Sequence, residues 1–187
     1  MKFDPEMTLR RLLETEPAKL DAVPDGPGIY ALYDHEGLAR YIGIAATCLR
    51  NRIFNRHVTG DENSHKFSSI YNAGRMFHSD KHPSTCPKDG KISKKLRSLF
   101  VRENCRAVAM PMPDMPKSDL RALESAVIAL APTGATSWNN RRWLDAHEPT
   151  EALNNVLEKL SWTQKNLDAI ERQAQRWENF VASPQIR

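Results

Sequence analysis

The sequence predicts an α+β domain: a small antiparallel three-stranded sheet flanked by helices, with an N-terminal helix, a long insertion and a C-terminal helical extension. Three observations predict it. Two strand-like runs, residues 28–33 (GIYALY) and 39–45 (ARYIGIA), flank His35-Glu36-Gly37, which supplies turn chemistry for a hairpin. Helical periodicity recurs before, between and after the strand-like segments. The chain has 187 residues and is 40% hydrophobic, room for one compact domain with appendages.

Taken in order, residues 7–14 (MTLRRLLE) read as a short amphipathic helix within an N-terminal segment, 1–21, before the Pro- and Gly-rich VPDGPG. The hairpin follows. Thr47 is a fitting N-cap for a helix through CLRNRIFNRHV, with Leu49, Ile53 and Phe54 on one side. Residues 59–90 lose periodicity and gain Gly, Ser, His, Asn and Pro; an insertion of that length is functional or partly structured. Helical pattern returns at KISKKLRSLFVREN, with Ile92, Leu96, Leu99 and Phe100 on one face and basic residues opposite. RAVAMPMP is a short strand whose prolines place its end at a sheet edge. SDLRALESAVIALAP is a helix capped by Ser118 or Asp119 and ended by Pro132. The main domain, 22–147, gives way to a helical extension, 148–187, with a stripe of Leu153, Leu157, Leu160, Leu167, Ile170, Trp177 and Val181.

The net charge of +4 is unevenly spread. Residues 40–106 carry 14 Lys/Arg against 5 Asp/Glu, and the remainder 13 against 18. Such a concentration suits a polyphosphate partner, because each neutralised phosphate releases counterions; a solvated basic face is the plainer alternative. No apolar run reaches membrane-spanning length and MKFDPEMTLRR lacks the apolar stretch of a signal peptide, so no membrane association and a cytoplasmic location are expected. Cys48, Cys86 and Cys105 are widely spaced, which argues against a disulfide framework. His78, His82 and Cys86 have a superficial metal spacing, but Pro83 and Pro87 break the helix that would align them.

Hydrolysis of a phosphodiester needs a positioned water, a base, and positive charge on the developing phosphorane. Candidates for each part are present. Glu124 sits within a helical turn of Leu120, Leu123, Val127 and Ile128, so the helix points a carboxylate at the core margin. It serves there either as an oxygen ligand for a hard cation such as Mg²⁺ or as a boundary residue paired with an arginine. Arg50, Arg52 and Arg56 share the helix after the hairpin, as phosphate donors or as a solvated face. His57 is a base, a phosphate donor or a C-terminal helix cation. Tyr30 and Tyr41 lie close across the hairpin; as bases they need an adjacent cation, and otherwise they pack as rings.

Together these residues resemble the GIY-YIG nuclease family, named for the tripeptides matched here by Gly28-Ile29-Tyr30 and Tyr41-Ile42-Gly43. Pro24 to Tyr30 is similar to the strand entry of the family's excision-repair branch, and Arg52 in LRNRI resembles the arginine of its first helix. Glu124 in ALESAVI resembles its metal-binding glutamate, and Pro132 with Trp138-Asn139 its closing proline and asparagine. The resemblance covers about residues 22–141. It implies a β-β-α-α-β-α domain that hydrolyses DNA at one strand per site with Mg²⁺ or Mn²⁺. In that scheme Tyr30 and Tyr41 position or deprotonate the water, Arg52 stabilises the phosphate, Glu124 holds the metal and Asn139 supports the site.

Three features depart from the family pattern. Ile44-Ala45-Ala46 follows YIG where many members place Lys, Ser or Gly, His57 lies five residues after Arg52 rather than four, and the 59–90 insertion is long. The expectation is a restriction, repair or phage-defence endonuclease, or alternatively a non-catalytic nucleic-acid-binding protein on the same fold. DNA contacts are expected from Arg50, Arg56, Lys66, Tyr71, Asn72, Arg75, Lys94 and Lys95. Two cuts in a duplex with one site per chain would favour a homodimer, for which the last helix is a candidate surface.

Overall fold

The computed structural model describes residues 4–59, 66–79, 86–140 and 146–183. Its centre is an antiparallel sheet. Strands β2 (Gly28–Tyr33) and β3 (Ala39–Ala45) form the expected hairpin, in a register that sets Tyr30 opposite Gly43 and Leu32 opposite Tyr41. The turn is tied by Asp34, whose Oδ1 accepts the backbone N–H groups of Glu36 and Leu38, both at 2.9 Å. Its Oδ2 accepts Arg40 Nε at 2.6 Å. β4 (Arg106–Pro111) pairs with the other side of β2, and β1 (Ala18–Lys19) lies beyond it, giving the order β1-β4-β2-β3.

The sheet therefore has four strands, not three. β1 is two exposed residues paired with Arg106 and Ala107, too short to leave an alternating pattern in the sequence. Because β1 covers only the start of β4, Pro111 at the far end has no strand on that side to which it must donate. Gly28 reflects the tight approach of β2 to β4: a Cβ there would strike the Met110 carbonyl oxygen and lie 2.9 Å from Leu49 Cδ1.

Strand alternation divides the core in two. Ile29, Ala31, Tyr33 and Ile42 face α1 (Pro5–Glu14) and α5 (Lys117–Leu130), meeting Leu12, Leu120, Leu123 and Val127. α1 starts from Asp4, whose carboxylate accepts the Glu6 N–H, and the Tyr33 hydroxyl donates to Leu12 O at 2.7 Å. α5 begins at Lys117 with Pro116 at the capping position, so neither Ser118 nor Asp119 is its cap. Tyr30 and Leu32 face the opposite core. That core is built by a π-helical turn, Asn51–Arg56, continued by α2 (His57–Thr59), and by α3 (Lys66–Ser69), α4 (Pro87–Asn104), α6 (Thr150–Lys159) and α7 (Gln164–Val181).

The described part of the insertion is core. Phe67, Ile70, Tyr71 and Met76 are buried, and Asn72 holds His78 by two backbone bonds of 2.8 and 2.9 Å. The Asn72 carboxamide oxygen also accepts the guanidinium of Arg97, which is fully buried. α4 thus buries Ser93, Leu96, Arg97, Phe100 and Val101, a face rotated from the expected one, on which Ile92 and Leu99 are only half-buried.

Leu153, Val156 and Ile170 of the C-terminal helices enter the same core. α7 is fixed at the start of α4 by Asp89, which accepts Arg172 Nε and Nη2 at 2.9 Å and Arg176 Nη1 at 2.8 Å. Trp177 packs on Phe77 with ring centroids 5.2 Å apart. Of the stripe, Leu153 and Ile170 are buried in the chain's own core, Leu157, Leu160 and Leu167 pack partly buried against it, and Val181 is exposed. No helix among the described residues is long and apolar enough to cross a membrane.

Candidate active site

β3 is an edge strand, and its outward backbone groups need partners. Residues 40, 42 and 44 point the same way, and each is met by a different group. The Trp138 N–H donates to Arg40 O at 2.9 Å. The Asn139 carboxamide donates to Ile42 O at 2.7 Å and accepts the Ile42 N–H at 3.1 Å, as a neighbouring strand would. The Ile44 N–H faces the Glu124 carboxylate and favours its ionised form. One strand edge therefore positions both Asn139 and Glu124, and Asn139 acts as a strut behind Tyr41 rather than as a wall of the cleft.

Glu124 is half-buried, and burial raises its carboxyl above the usual glutamate range; the Ile44 amide and the charges of Arg52 and Arg121 oppose that rise. Across β3, the rings of Tyr30 and Tyr41 stack at 6.2 Å with an interplanar angle of 23°. Gly43 makes room for this pair: a Cβ there would lie 2.7 Å from Tyr41 Cε1 and 3.0 Å from the Tyr30 oxygen. Burial pushes both phenols up, Tyr30 well above 10.0, while Arg52 pulls both down. Both are neutral hydroxyls near pH 7.

Arg52 and His57 come from the π-helical turn. The His57 N–H bonds to Arg52 O, five residues back, so the two side chains leave the same side of the helix despite the extra residue between them. Arg52 Nε donates to the Tyr30 hydroxyl at 3.4 Å, and that hydroxyl lies 2.6 Å from His57 Nε2. The His57 ring stands edge-on to both tyrosines, at 5.6 and 5.1 Å.

Tyr41, Arg52 and Glu124 border a cleft of about 530 Å³ at the C-terminal end of β3, which Tyr30 and His57 do not line. One wall is Arg52 and Arg56; the other is Lys117, Arg121 and Glu124 of α5; Tyr41 and the uncharged run Ile44 to Thr47 form the floor. Lys117 and Arg121 were not expected. Their i, i+4, i+7 spacing with Glu124 was the available sign.

Other expected DNA contacts fall elsewhere. Arg50 lies off the cleft, bonded to Asp21 O at 2.9 Å and facing Asp25 at 3.6 Å. Tyr71 and Asn72 are buried and serve the core, so they are not surface contacts. Arg75 is held by Glu148 at 2.7 Å and lines a separate pocket with residues of α6 and α7. Lys94 and Lys95 lie on α4 outside the cleft lining, and the side chain of Lys66 falls outside the described residues, as does His82.

A divalent cation has one carboxylate here, and no cluster of three or more His, Cys, Asp or Glu forms among the described residues. That donor set fits Mg²⁺ or Mn²⁺, which keep several waters and complete their shell with substrate phosphate, and the cleft has space for both. It does not fit a closed zinc site. Comparisons with family models, curated proteins and solved structures returned no match for this chain.

Proposed function

We propose that this protein is a metal-dependent endonuclease of the GIY-YIG type that hydrolyses DNA phosphodiester bonds, in a restriction, repair or phage-defence role. The observation that carries the reading is the Tyr30 hydroxyl, shared between Arg52 and His57 directly behind a cleft whose far wall presents Glu124. Packing alone does not call for a fully buried phenol, an imidazole and a guanidinium to converge beside a half-buried carboxylate.

Each group has a task in this reading. Arg52 directs its guanidinium at the phosphate oxygens, where its charge stabilises the added negative charge of the phosphorane. Tyr41 lines the cleft and is the tyrosine that meets the attacking water; its proton is held by burial, so it orients the water by hydrogen bonding. Tyr30 lies behind it, where its hydroxyl accepts Arg52 Nε and shares a hydrogen bond with His57 Nε2, so that the three side chains hold one another in place. Glu124 would hold Mg²⁺ or Mn²⁺, which supplies Lewis-acid stabilisation of phosphate oxygens and a more acidic water. Asn139 keeps β3, and with it Tyr41, in place.

The test is incubation of purified protein with supercoiled plasmid, with and without Mg²⁺, beside Glu124→Ala. Metal-dependent nicking by the native chain and none by the variant is the expected result. No metal-dependent cutting of plasmid, single-stranded DNA or RNA would sink the reading, and tight binding without cutting would favour a non-catalytic nucleic-acid-binding protein.

A further inference from the structure

The cleft carries more positive charge than one phosphate needs. Arg52 and Arg56 stand on one side, Lys117 and Arg121 on the other, against the single carboxylate of Glu124. Four arginines elsewhere on the chain are tied down: Arg40 to Asp34, Arg75 to Glu148, Arg172 and Arg176 to Asp89. Lys117 and Arg121 have no salt-bridge partner among the described residues, and Arg121 acts on Glu124, its neighbour on the same helix face, only through its charge.

Local rules oppose this arrangement. Lys117 is the first residue of α5, where the helix dipole favours an acidic side chain, and Arg121 is its i, i+4 neighbour, so like charges are stacked on one face. A sequence that breaks local rules at a cleft marks a site where function overrides stability. The facing floor, Ile44 to Ala46, offers no charged donor at all.

We propose that Lys117 and Arg121 form a second phosphate clamp, on the wall that bears Glu124, which grips a backbone phosphate flanking the one held by Arg52. This rests on reading the cleft as a DNA site. The clamp supplies from α5 the positive charge that the end of β3 lacks. Phosphates held by Arg52, Arg56, Lys117 and Arg121 would also offset the positive charge beside Glu124, the residue that would hold a divalent cation.

The experiment measures binding of a fluorescein-labelled DNA duplex in EDTA over a series of NaCl concentrations. The native chain is compared with Arg121→Gln, Lys117→Gln, the double variant, Arg121→Lys, and Lys165→Gln as an exposed control on α7. Each clamp variant should weaken binding several-fold and flatten the log–log salt slope by about 1, the double variant by about 2, with melting curves unchanged. Arg121→Lys should keep the slope, and the Lys165 control should match the native chain. Clamp variants that bind like the control overturn the proposal, even if the native chain cuts DNA. Weakened, slope-flattened variants of a chain that never cuts leave the clamp standing and remove the endonuclease reading. A native chain that binds no DNA overturns both.

Discussion

Arg52 and His57, five residues apart, leave the same side of one π-helical turn and meet at a single oxygen, the Tyr30 hydroxyl. An α-helical turn would place residues four apart in that relation; the wider turn accommodates the extra residue without giving up the convergence. His57 is thereby brought into the site, although its spacing from Arg52 in the sequence argued against it.

The Tyr30–His57 bond is buried, so its loss is felt in stability as well as activity. Tyr30→Phe should cost about 1–2 kcal/mol, and His57→Ala a similar amount plus a cavity contribution. Because the two share one bond, the double variant should lose less than the sum, with a coupling of about 1 kcal/mol in denaturant titrations. Strictly additive losses would show that the bond contributes nothing.

The two motif glycines answer different demands and should fail differently. In Gly43→Ala the new methyl meets two side chains, Tyr41 and Tyr30, which can shift at the cost of site geometry. Activity should drop at least tenfold while stability falls by only about 1 kcal/mol. In Gly28→Ala the methyl meets the Met110 carbonyl of β4, which cannot move without splaying the sheet, and about 3 kcal/mol or more should be lost. Melting temperatures and nicking rates of the two variants separate these outcomes, and equal melting temperatures would contradict the assignment.

Much of the fold was legible because α1 and α5 follow the helical period and the β2 and β3 runs flank turn residues. The spacing of Leu120, Leu123 and Val127 fixed which face α5 buries, and hence that Glu124 lies at its margin. The rest was hidden for definite reasons. β1 is too short for any period, and the Asn139 bonds to β3 span 97 residues. Residue type misled in the insertion and on α4: Asn72 and Arg97 read as surface groups, yet both are buried and hydrogen-bonded to each other in the core. Arg75 likewise reads as a free cation until Glu148, 73 residues away, folds against it.

The raised carboxyl of Glu124 has a sign that can be checked twice. Its folded pKa lies above the unfolded value of 4.5, so the folded state binds the proton more tightly, and this contribution to stability is lost as pH rises through the folded pKa. Above that pH the buried carboxylate is a liability, and Glu124→Gln should melt at the same temperature as the native chain or higher at pH 8. Activity runs the other way, because cation binding needs the carboxylate. Because proton and cation compete for one carboxylate, the acid limb of the rate–pH profile should move to lower pH as Mg²⁺ is raised, and Glu124→Gln should be inactive throughout. A variant markedly less stable at pH 8 would contradict the cause assigned to the shift.

Asp89 shows the opposite sign far from the cleft. Arg172 and Arg176 hydrogen bonds outweigh its partial burial and lower its carboxyl from 3.8 to about 2. The anchoring of α7 is therefore complete above the unfolded carboxyl's 3.8 and is lost as pH falls through about 2. Asp89→Ala should remove it at every pH, at a cost of roughly 2 kcal/mol, held down by the solvent exposure of Arg172. The loss should appear in α7 first, as faster amide exchange over residues 164–181, with exchange in β2 and β3 unchanged. Since α7 lines no part of the cleft, DNA cleavage at neutral pH should persist in Asp89→Ala. If exchange instead rose equally across β2, β3 and α7, the chain would unfold as one unit and the anchor would not act locally.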